Sequence, residues 1–415
     1  MQYKEPDKTA DVIIIGAGAI GCAAAYYLSK KRIGKIILLE RNSIGSGNTS
    51  WAASLLTKTR SKTALIPLVE ETYRSIAMLE EESGHDLGMQ QIGSLHVASS
   101  EKSKKDLDKL LSIAHQFQIP NRVVDNHELK EMVPWIAKDE IEKAAYMEED
   151  AYLEAYVLTS AFAEAARKNG VQILQQANVT ELLREGDKVI GVRTENEFIT
   201  SKVVVDAAGA WANILSTQVG VALPMAPVRS NYWITSVNKE MFPVNQPIVV
   251  IPDASAYTRP ESGALLFGLR EAQSIYIDPK ELPDDLNGYT FGNPEDRWNI
   301  LLEQGENFKR FFPGFDSIEI PHYISGLSTY TPDGMFVLGG IPGVAGFMAA
   351  TGCSGAGVAA CGGIGRIISE LVADETVFCD IENFKVDRFG SSRFNPFSKE
   401  FMQQCAAARS QKKSG

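Results

Sequence analysis

The stretch VIIIGAGAIGCAAAYYLSKKRIGKIILLE, residues 12–40, constrains the fold more than any other part of this chain. It opens with a short β-branched run, which is typical of a buried parallel strand. An alanine-rich segment that ends in basic residues before Gly34 predicts a helix, and residues 35–39 predict a second strand. The sequence therefore predicts a βαβ unit.

Three glycines with the spacing GxGxxG join the first strand to the helix. Gly16 allows a tight turn, Gly18 lets a pyrophosphate approach the main chain, and Gly21 lets the helix pack closely on the strand. Glu40 follows the second strand, where a carboxylate accepts hydrogen bonds from the adenosine ribose. The unit predicts a dinucleotide site, and by itself it does not separate NAD from FAD.

The composition narrows the class of protein and its partners. A chain of 415 residues with 44% hydrophobic content can form two domains, and 52 acidic against 41 basic residues give no basic stripe for nucleic acid. The five cysteines form no CxxC pair and the five histidines are scattered, so we expect no disulfide framework and no metal site. Residues 1–10 lack a secretory pattern, and we expect a cytoplasmic protein.

Residues 335–365 contain no charged side chain and are numerous enough to cross a membrane. Pro342 and ten glycines interrupt this segment, and glycine at that density favours turns and close backbone contacts. We therefore expect a buried strand, turn and helix here and no membrane span.

A flexible, hydroxyl-rich loop, RNSIGSGNTSWAASLL at residues 41–56, follows the ribose acid. A simple NAD domain usually continues into another helix and strand, whereas FAD is longer and needs an extended channel. At this loop the sequence resembles the FAD-dependent amino acid and amine oxidoreductases of the D-amino acid oxidase superfamily, which includes glycine oxidase, sarcosine oxidase and dimethylglycine dehydrogenase.

The resemblance continues in residues 179–211, which end in AAGAW, and in the hairpin-like residues 256–271. It includes residues 326–358, in which TPDG precedes a strand and the glycine turn GCSGAG. The fold that the resemblance implies is α/β: a Rossmann-like FAD-binding domain with an inserted substrate domain built on a mainly antiparallel sheet. The implied boundaries are 1–85, 146–225 and 326–385 for the FAD-binding domain, 86–145 and 226–325 for the substrate domain, and 386–415 for a C-terminal tail.

The resemblance and the dinucleotide motif together imply a set of FAD-binding residues. The set comprises Gly16, Gly18, Ala19, Ile20, Gly21, Glu40, Arg41, Gly47, Asn48, Thr49, Ala53, Ser54, Leu55, Val179, Ala208, Gly209, Trp211, Gly352, Cys353, Ser354, Gly355, Ala356, Gly357 and Val358. Family members that attach FAD covalently use a histidine where this chain has Trp51, or a cysteine where it has Gly326. We therefore expect FAD to be bound non-covalently.

The substrate residues implied by the resemblance are less complete. Tyr257 matches the substrate-domain tyrosine, or is a structural tyrosine of the sheet, and Arg259 either contacts substrate or pairs with Glu261. His322 is a candidate acid–base residue. Glycine oxidase and D-amino acid oxidase bind the substrate carboxylate with an arginine where this chain has Ser328. Two explanations stay open: the substrate lacks that carboxylate, or another arginine replaces the missing one. The candidates for that role are Arg60, Arg229 and Arg259.

The activity implied by the resemblance is oxidation of a C–N bond by hydride transfer to flavin N5, after which water hydrolyses the imine. The substrate would be an amino acid or a secondary or tertiary amine, and oxygen or another acceptor would reoxidise the flavin. Two alternatives are an NAD-linked dehydrogenase and a non-catalytic FAD-binding subunit of a larger complex.

Overall fold

The computed structural model describes residues 8–293, 295–390 and 394–412. Within these residues the strands are β1 (Lys8–Ile15), β2 (Ile36–Leu39), β3 (Leu55–Leu56), β4 (Ser94–Ala98), β5 (Asn121–Val124), β6 (Lys143–Met147), β7 (Ala151–Tyr152), β8 (Gln172–Leu174), β9 (Val179–Glu185), β10 (Lys188–Thr194), β11 (Phe198–Asp206), β12 (Ala226–Ile234), β13 (Ile248–Ile251), β14 (Ala256–Glu261), β15 (Ala264–Leu269), β16 (His322–Tyr330), β17 (Val337–Ile341) and β18 (Val344–Thr351). The α-helices of the same residues are α1 (Ala19–Ser29), α2 (Ile66–Ser83), α3 (Glu101–Gln116), α4 (Asn126–Met132), α5 (Ala155–Lys168), α6 (Ala212–Ser216), α7 (Asp296–Phe311), α8 (Gly357–Val372) and α9 (Lys399–Ser410).

The first sheet has a parallel centre in which β18, β11, β1, β2 and β8 lie side by side. The βαβ unit predicted from the glycine motif is confirmed, because β1 and β2 are parallel neighbours joined by α1. The uncharged segment forms β17, β18 and α8, so it contains one strand more than expected. No helix among the described residues is both long and apolar enough to span a membrane.

The second sheet has the order β16-β12-β15-β14-β13-β4-β6-β5. Its pairs are antiparallel except for β13 and β4, which confirms the mainly antiparallel sheet. The domain boundaries remain predictions, and two of them, at 145/146 and 325/326, fall inside β6 and β16 of this sheet. Residues 1–7, 294, 391–393 and 413–415 of the predicted domains and tail lie outside the described residues.

Close packing of α1 and α8 against one face of the first sheet fixes the position of two glycine turns. A Cβ atom at Gly365 of α8 would lie 2.6 Å from the carbonyl carbon of Ala23 in α1, so the two helix backbones touch. Gly21 has the same function toward the sheet, since its Cβ would lie 1.9 Å from the carbonyl oxygen of Gly16. Both helices therefore begin near the edge of the sheet where β1 ends.

The C-terminal helix α9 packs on β12 and β16 of the second sheet. Its buried residues Met402, Cys405, Ala406 and Arg409 recur at i, i+3, i+4 and i+7, which is one face of a helix. The apolar members of this face join Val228 and Tyr330 in a small core cluster. The C-terminal tail therefore packs on the second sheet, and its last described residues reach the cavity that is described in the next subsection.

Candidate active site

A cavity of about 470 Å³ lies between the two sheets. The residues that follow β1, β2 and β11 line it on one side, and residues of β12, β14 and β16 line it on the other. This volume lies in the usual range for small-molecule sites of roughly 300–1,000 Å³. The position at the carboxyl ends of parallel strands is also where open α/β sheets bind ligands.

The dinucleotide turn forms one end of the cavity. Gly16 adopts φ +96°, and a Cβ at this position would lie 2.6 Å from the carbonyl oxygen of Ala207. Gly18 faces the cavity, where a Cβ would meet only Thr49 Oγ1, at 3.2 Å. Helix α1 starts at the next residue, and the first amides of a helix have no carbonyl partner within it. The turn can therefore hold an anionic group close to the main chain.

Glu40 also lines this end, and its carboxylate fixes the turn. Oε2 accepts a hydrogen bond from the amide of Ala17 at 2.7 Å, and Oε1 accepts one from the amide of Asn42 at 2.8 Å. An ionised carboxylate has more acceptor sites than these two bonds use. The acid can therefore also accept hydrogen bonds from a ligand's hydroxyl groups.

The loop after Glu40 and the segment after β11 form the middle of the cavity. Asn48 Oδ1 and Trp211 Nε1 are buried and have no hydrogen-bond partner among the described residues. Both residues line the cavity, and the Arg41 guanidinium lies over the Trp211 ring at 4.4 Å. Because buried polar atoms are normally hydrogen-bonded, a polar ligand that passes between these segments would satisfy them.

The C-terminal glycine turn also borders the cavity, beside the start of α1, because a Cβ at Gly357 would lie 3.8 Å from Ile20 Cδ1. Gly352, Ser354 and Gly355 have positive φ angles of 65°, 47° and 72°. The turn is fixed to β16 because the amides of Cys353 and Ser354 donate to Thr329. Residues 355–359 line the cavity, and α8 begins among them.

The structure places almost all of the predicted FAD-binding residues on this cavity. Those that line it are Gly16, Gly18, Ala19, Ile20, Glu40, Arg41, Gly47, Asn48, Thr49, Ala53, Ser54, Leu55, Val179, Ala208, Gly209, Trp211, Cys353, Gly355, Ala356, Gly357 and Val358. Those that do not line it are Gly21, Gly352 and Ser354. Gly21 packs on the strand turn, as its motif position predicts. Gly352 and Ser354 adopt positive φ angles in the C-terminal turn and so contribute to its conformation without lining the cavity.

The predicted substrate residues are only partly brought together. Tyr257 lines the cavity, its ring lies against Gly268, and burial raises its pKa, so it stays a neutral phenol. His322 instead begins β16 in an exposed position away from the cavity, and Arg259 is turned away as well. The Arg259 guanidinium is held by Glu154 at 3.2 Å and by Glu261 at 2.7 Å. The structure therefore places neither His322 nor Arg259 in the cavity wall, and of the two alternatives for Arg259 it shows the pair with Glu261.

Of the arginines proposed to replace the missing one, only Arg60 lines the cavity. Arg229 is buried but neutralised, because its guanidinium pairs with Glu271 and Asp296. Sequence reasoning missed Arg270, which follows β15 and lines the cavity beside Tyr257. A charged residue directly after the fully buried strand of residues 264–269 was the signal for it.

Two further cations of the cavity wall were also missed, Arg409 in α9 and Lys412 just after it. Arg409 belongs to the buried face of α9, so an arginine within a helical apolar stripe was the available signal. Lys412 Nζ donates to the carbonyl oxygens of Ser354 and Gly355 at 3.2 Å each. The predicted C-terminal tail therefore contributes directly to the site.

Comparison with known proteins decides the family. The sequence model of the family described as DAO, FAD dependent oxidoreductase, matches residues 11–371. The chain belongs to this family of FAD-dependent oxidoreductases. The NAD-linked alternative is thereby set aside, because the cofactor of the family is FAD.

Individual relatives agree with the family match. Mouse (Mus musculus) mitochondrial sarcosine dehydrogenase is 28% identical over 390 residues, which cover 92% of this chain and 42% of that protein. Glycine oxidase of Geobacillus kaustophilus (strain HTA426) is 26% identical over 91% of this chain and 97% of its own length. The structure of L-proline dehydrogenase from P. horikoshii superposes with a TM-score of 0.81 at 24% identity, over 92% of this chain and 98% of that one. The chain thus spans less than half the length of the sarcosine dehydrogenase.

The cavity fits FAD in its chemistry. Gly18 and the amides at the start of α1 would hold the pyrophosphate, and Glu40 would accept hydrogen bonds from the ribose. Asn48 Oδ1 and Trp211 Nε1 are unpaired polar atoms along the channel that a long polar cofactor would meet. Among the described residues no group of three or more His, Cys, Asp or Glu side chains is arranged to hold a metal ion.

Proposed function

We propose that this protein oxidises the C–N bond of an amino acid, or of a secondary or tertiary amine that carries a carboxylate. The observation that supports it most is Arg270, a buried guanidinium beside Tyr257 in the wall of the family's cofactor cavity. Sarcosine, glycine and L-proline, which appear in the names of the relatives, are all amino acids with one carboxylate.

Arg270 would replace the arginine that is absent at Ser328. Its Nη2 is buried without an acceptor among the described residues, so it has an N–H group available for an anion. A planar guanidinium binds a carboxylate through two parallel hydrogen bonds. The neutral phenol of Tyr257 forms no hydrogen bond with another described side chain and can donate to the same ligand. Both residues would orient the substrate by its carboxylate.

The same residues would keep the substrate nitrogen uncharged. Arg60, Arg270, Arg409 and Lys412 line the cavity, and a positive environment disfavours a protonated amine. A neutral amine has the free electron pair that C–N oxidation requires. FAD, when bound, supplies the oxidation by accepting a hydride from the carbon next to the nitrogen. Water then hydrolyses the imine product, and oxygen or another acceptor completes the cycle.

Non-covalent binding of FAD is part of the proposal. Trp51 and Gly326 stand where other family members carry an attachment residue, and here these two positions pack on each other. A Cβ at Gly326 would lie 2.4 Å from Trp51 Cβ, so the indole occupies the space of a side chain at 326. We expect acid or detergent denaturation to release FAD completely from the purified protein.

The activity is tested by adding candidate amines to the FAD-loaded protein without oxygen and following the visible absorption of the flavin. We expect a carboxylate-bearing amine such as sarcosine to bleach it, and the same amine as its methyl ester to fail, because the ester has no anion for Arg270. Readmission of oxygen then separates an oxidase from a dehydrogenase by the rate of recovery. If neither amino acids nor amines bleach the flavin, the protein is the non-catalytic FAD-binding subunit instead.

A further inference from the structure

The part of the cavity next to the C-terminal glycine turn carries more positive charge than one carboxylate needs. Four cations line the cavity near the C-terminal turn, and we refer to Arg60, Arg270, Arg409 and Lys412 as the cation cluster. All four line the same cavity, where the positive charges of the three arginines each lower the pKa of Lys412. This concentration occurs in a chain with formal net charge −11, so it does not reflect a generally basic surface.

The cluster has no carboxylate partner among the described residues. None of its four members forms an ion pair within 4.0 Å in that part of the chain, and Arg60 Nε donates only to the carbonyl oxygen of Thr57, at 3.0 Å. Arg270 Nη2 and Arg409 Nε are buried without an acceptor. Elsewhere the same chain pairs its buried arginines with acids, Arg229 with Glu271 and Arg259 with Glu261. The absence of acids from the cluster is therefore specific to the cavity.

Burial of unpaired cations is costly, and it favours the uncharged forms of these groups. Burial lowers the pKa of Arg270 to about 10 and lowers that of Lys412 well below its usual value. The groups that face them are further cations, the phenols of Tyr257 and Tyr330, and the thiol of Cys353. Asp150 acts on Arg60 only through space, and burial raises the pKa of Asp150 to about 6. An anion bound in the cavity would stabilise the positive charge of these buried cations.

One carboxylate accounts for one guanidinium, which leaves at least two cations to be explained. We propose that the substrate carries two anionic groups, one bound by Arg270 next to the reacting C–N bond and the second bound by Arg409 and Lys412. This inference rests on the proposed function, because it names the class of substrate for the same cavity. The second group is a carboxylate or another small oxyanion such as a phosphonate, which guanidinium and ammonium groups bind in the same way.

The proposal assigns substrate selection to a part of the chain outside the family match. The family model ends at residue 371, whereas Arg409 and Lys412 belong to α9 and the residues that follow it. Lys412 Nζ is anchored on the carbonyl oxygens of the C-terminal glycine turn, which orients it relative to that turn. Recognition of the second anion would therefore depend on residues that lie beyond those matched by the family model.

The first test compares ligands on the FAD-loaded protein at constant ionic strength. Succinate and phosphonoacetate are compared with propionate as non-reactive ligands, and binding is followed by the shift of the flavin spectrum. We expect both dianions to bind at least about ten-fold more tightly than the monoanion, and the stronger of the two identifies the second group. Iminodiacetate and sarcosine, which differ by one carboxylate, are compared in the same way as substrates, with a lower KM expected for iminodiacetate.

The second test removes one charge at a time from the tail. Lys412→Met should weaken dianion binding about ten-fold and propionate binding less than about two-fold. Lys399→Met removes the same charge from the exposed start of α9 and should change neither. Arg409→Met should have an effect like that of Lys412→Met, and Arg409→Lys, which keeps the charge, should restore most of the preference for dianions.

The outcomes separate this inference from the activity. If dianions bind preferentially but no amine bleaches the flavin, the cluster is a dianion site and the proposed activity is wrong. If sarcosine and iminodiacetate are oxidised with equal KM and the ligands show no preference for two charges, the activity stands and the inference is overturned. Loss of FAD from the Lys412→Met protein would also overturn it, because the cluster would then serve the cofactor.

Discussion

At the dinucleotide end of the cavity, one short stretch of chain supplies much of the wall, whereas the cation cluster at the opposite end draws on three distant segments. Gly16, Gly18 and Glu40 lie within 25 residues of one another, and main-chain amides would do most of the binding of the pyrophosphate. The cation cluster instead uses long side chains from residues 60, 270, 409 and 412. Main-chain binding suits a cofactor that never changes, and side-chain binding suits a substrate that differs between relatives.

The largest effect is expected at the end built from main chain. Gly18→Val would place a branched side chain where the pyrophosphate approaches, so the purified protein should contain almost no FAD. The flavin-to-protein absorbance ratio measures it. Gly340→Val is the matched control, because Gly340 is an exposed glycine of β17 with open space around its Cβ position. Full FAD content in the Gly18→Val protein would contradict the assignment of this turn to the phosphates.

At the opposite end a single side chain should matter for the substrate and not for the cofactor. Arg270→Gln should lower kcat/KM for a carboxylate-bearing amine roughly ten- to a hundred-fold. This corresponds to a loss of about 1.5–3 kcal/mol of transition-state stabilisation, the usual contribution of a charged hydrogen bond. FAD content should stay at the wild-type level. A variant that loses FAD and activity together would show that the two ends are not independent.

Glu40→Ala tests whether the ribose acid belongs to the cofactor end alone. The variant should weaken FAD binding by about 1–3 kcal/mol, the cost of a hydrogen bond to a charged group. Titration of the FAD-free protein with FAD measures the change in Kd. Substrate KM at saturating FAD should not change, and a change in KM larger than the change in Kd would break the division between the ends.

A final effect concerns the stability of the fold and not ligand binding, and it depends on a buried acid behind the dinucleotide turn. Asp206 ends β11 opposite Ile15, and burial raises its pKa to about 7. A raised acid pKa stabilises the fold fully below the unfolded value near 3.8, and that stabilisation is lost as the pH rises through about 7. The free energy of unfolding, measured by urea titration, should therefore fall between pH 4 and pH 7.5, by up to about 1.4 kcal/mol per pH unit.

Asp206→Asn should flatten this dependence, since asparagine keeps the acceptor for the Ala208 amide, which donates to Asp206 Oδ1 at 3.0 Å. An unchanged pH profile would show that other groups govern stability in this range. A flattened profile would show that a buried acid affects stability near the dinucleotide turn, in contrast to the buried cations of the cation cluster.

The contrast between the ends also explains what the sequence could predict. The βαβ unit was predictable because its geometry depends on residues a few positions apart, whereas most of the other residues that line the cavity came from the resemblance to the family. Arg259 and Arg270 lie on one hairpin, and spacing does not tell which of them faces the cavity. That choice is made by Glu154, more than 100 residues away, which holds Arg259 outside.

The tail shows the same limit in another form. Arg409 lies on the buried stripe of α9. It reaches the cavity only because α9 packs on β12 and β16, and other walls of that cavity come from residues as distant in sequence as Ile15. Likewise, the position of Lys412 depends on its hydrogen bonds to the carbonyl oxygens of Ser354 and Gly355 in the glycine turn, which the local sequence does not predict. Contacts between distant segments are a property of the whole fold.

The attachment of Lys412 to the C-terminal glycine turn has a consequence for biosynthesis. A ribosome makes the dinucleotide turn early and Lys412 last among the residues described, so a nascent chain completes the two ends at very different times. Cofactor recognition can begin while most of the opposite wall is still untranslated. Selectivity for the molecule to be oxidised would then be acquired only after recognition of the cofactor has begun.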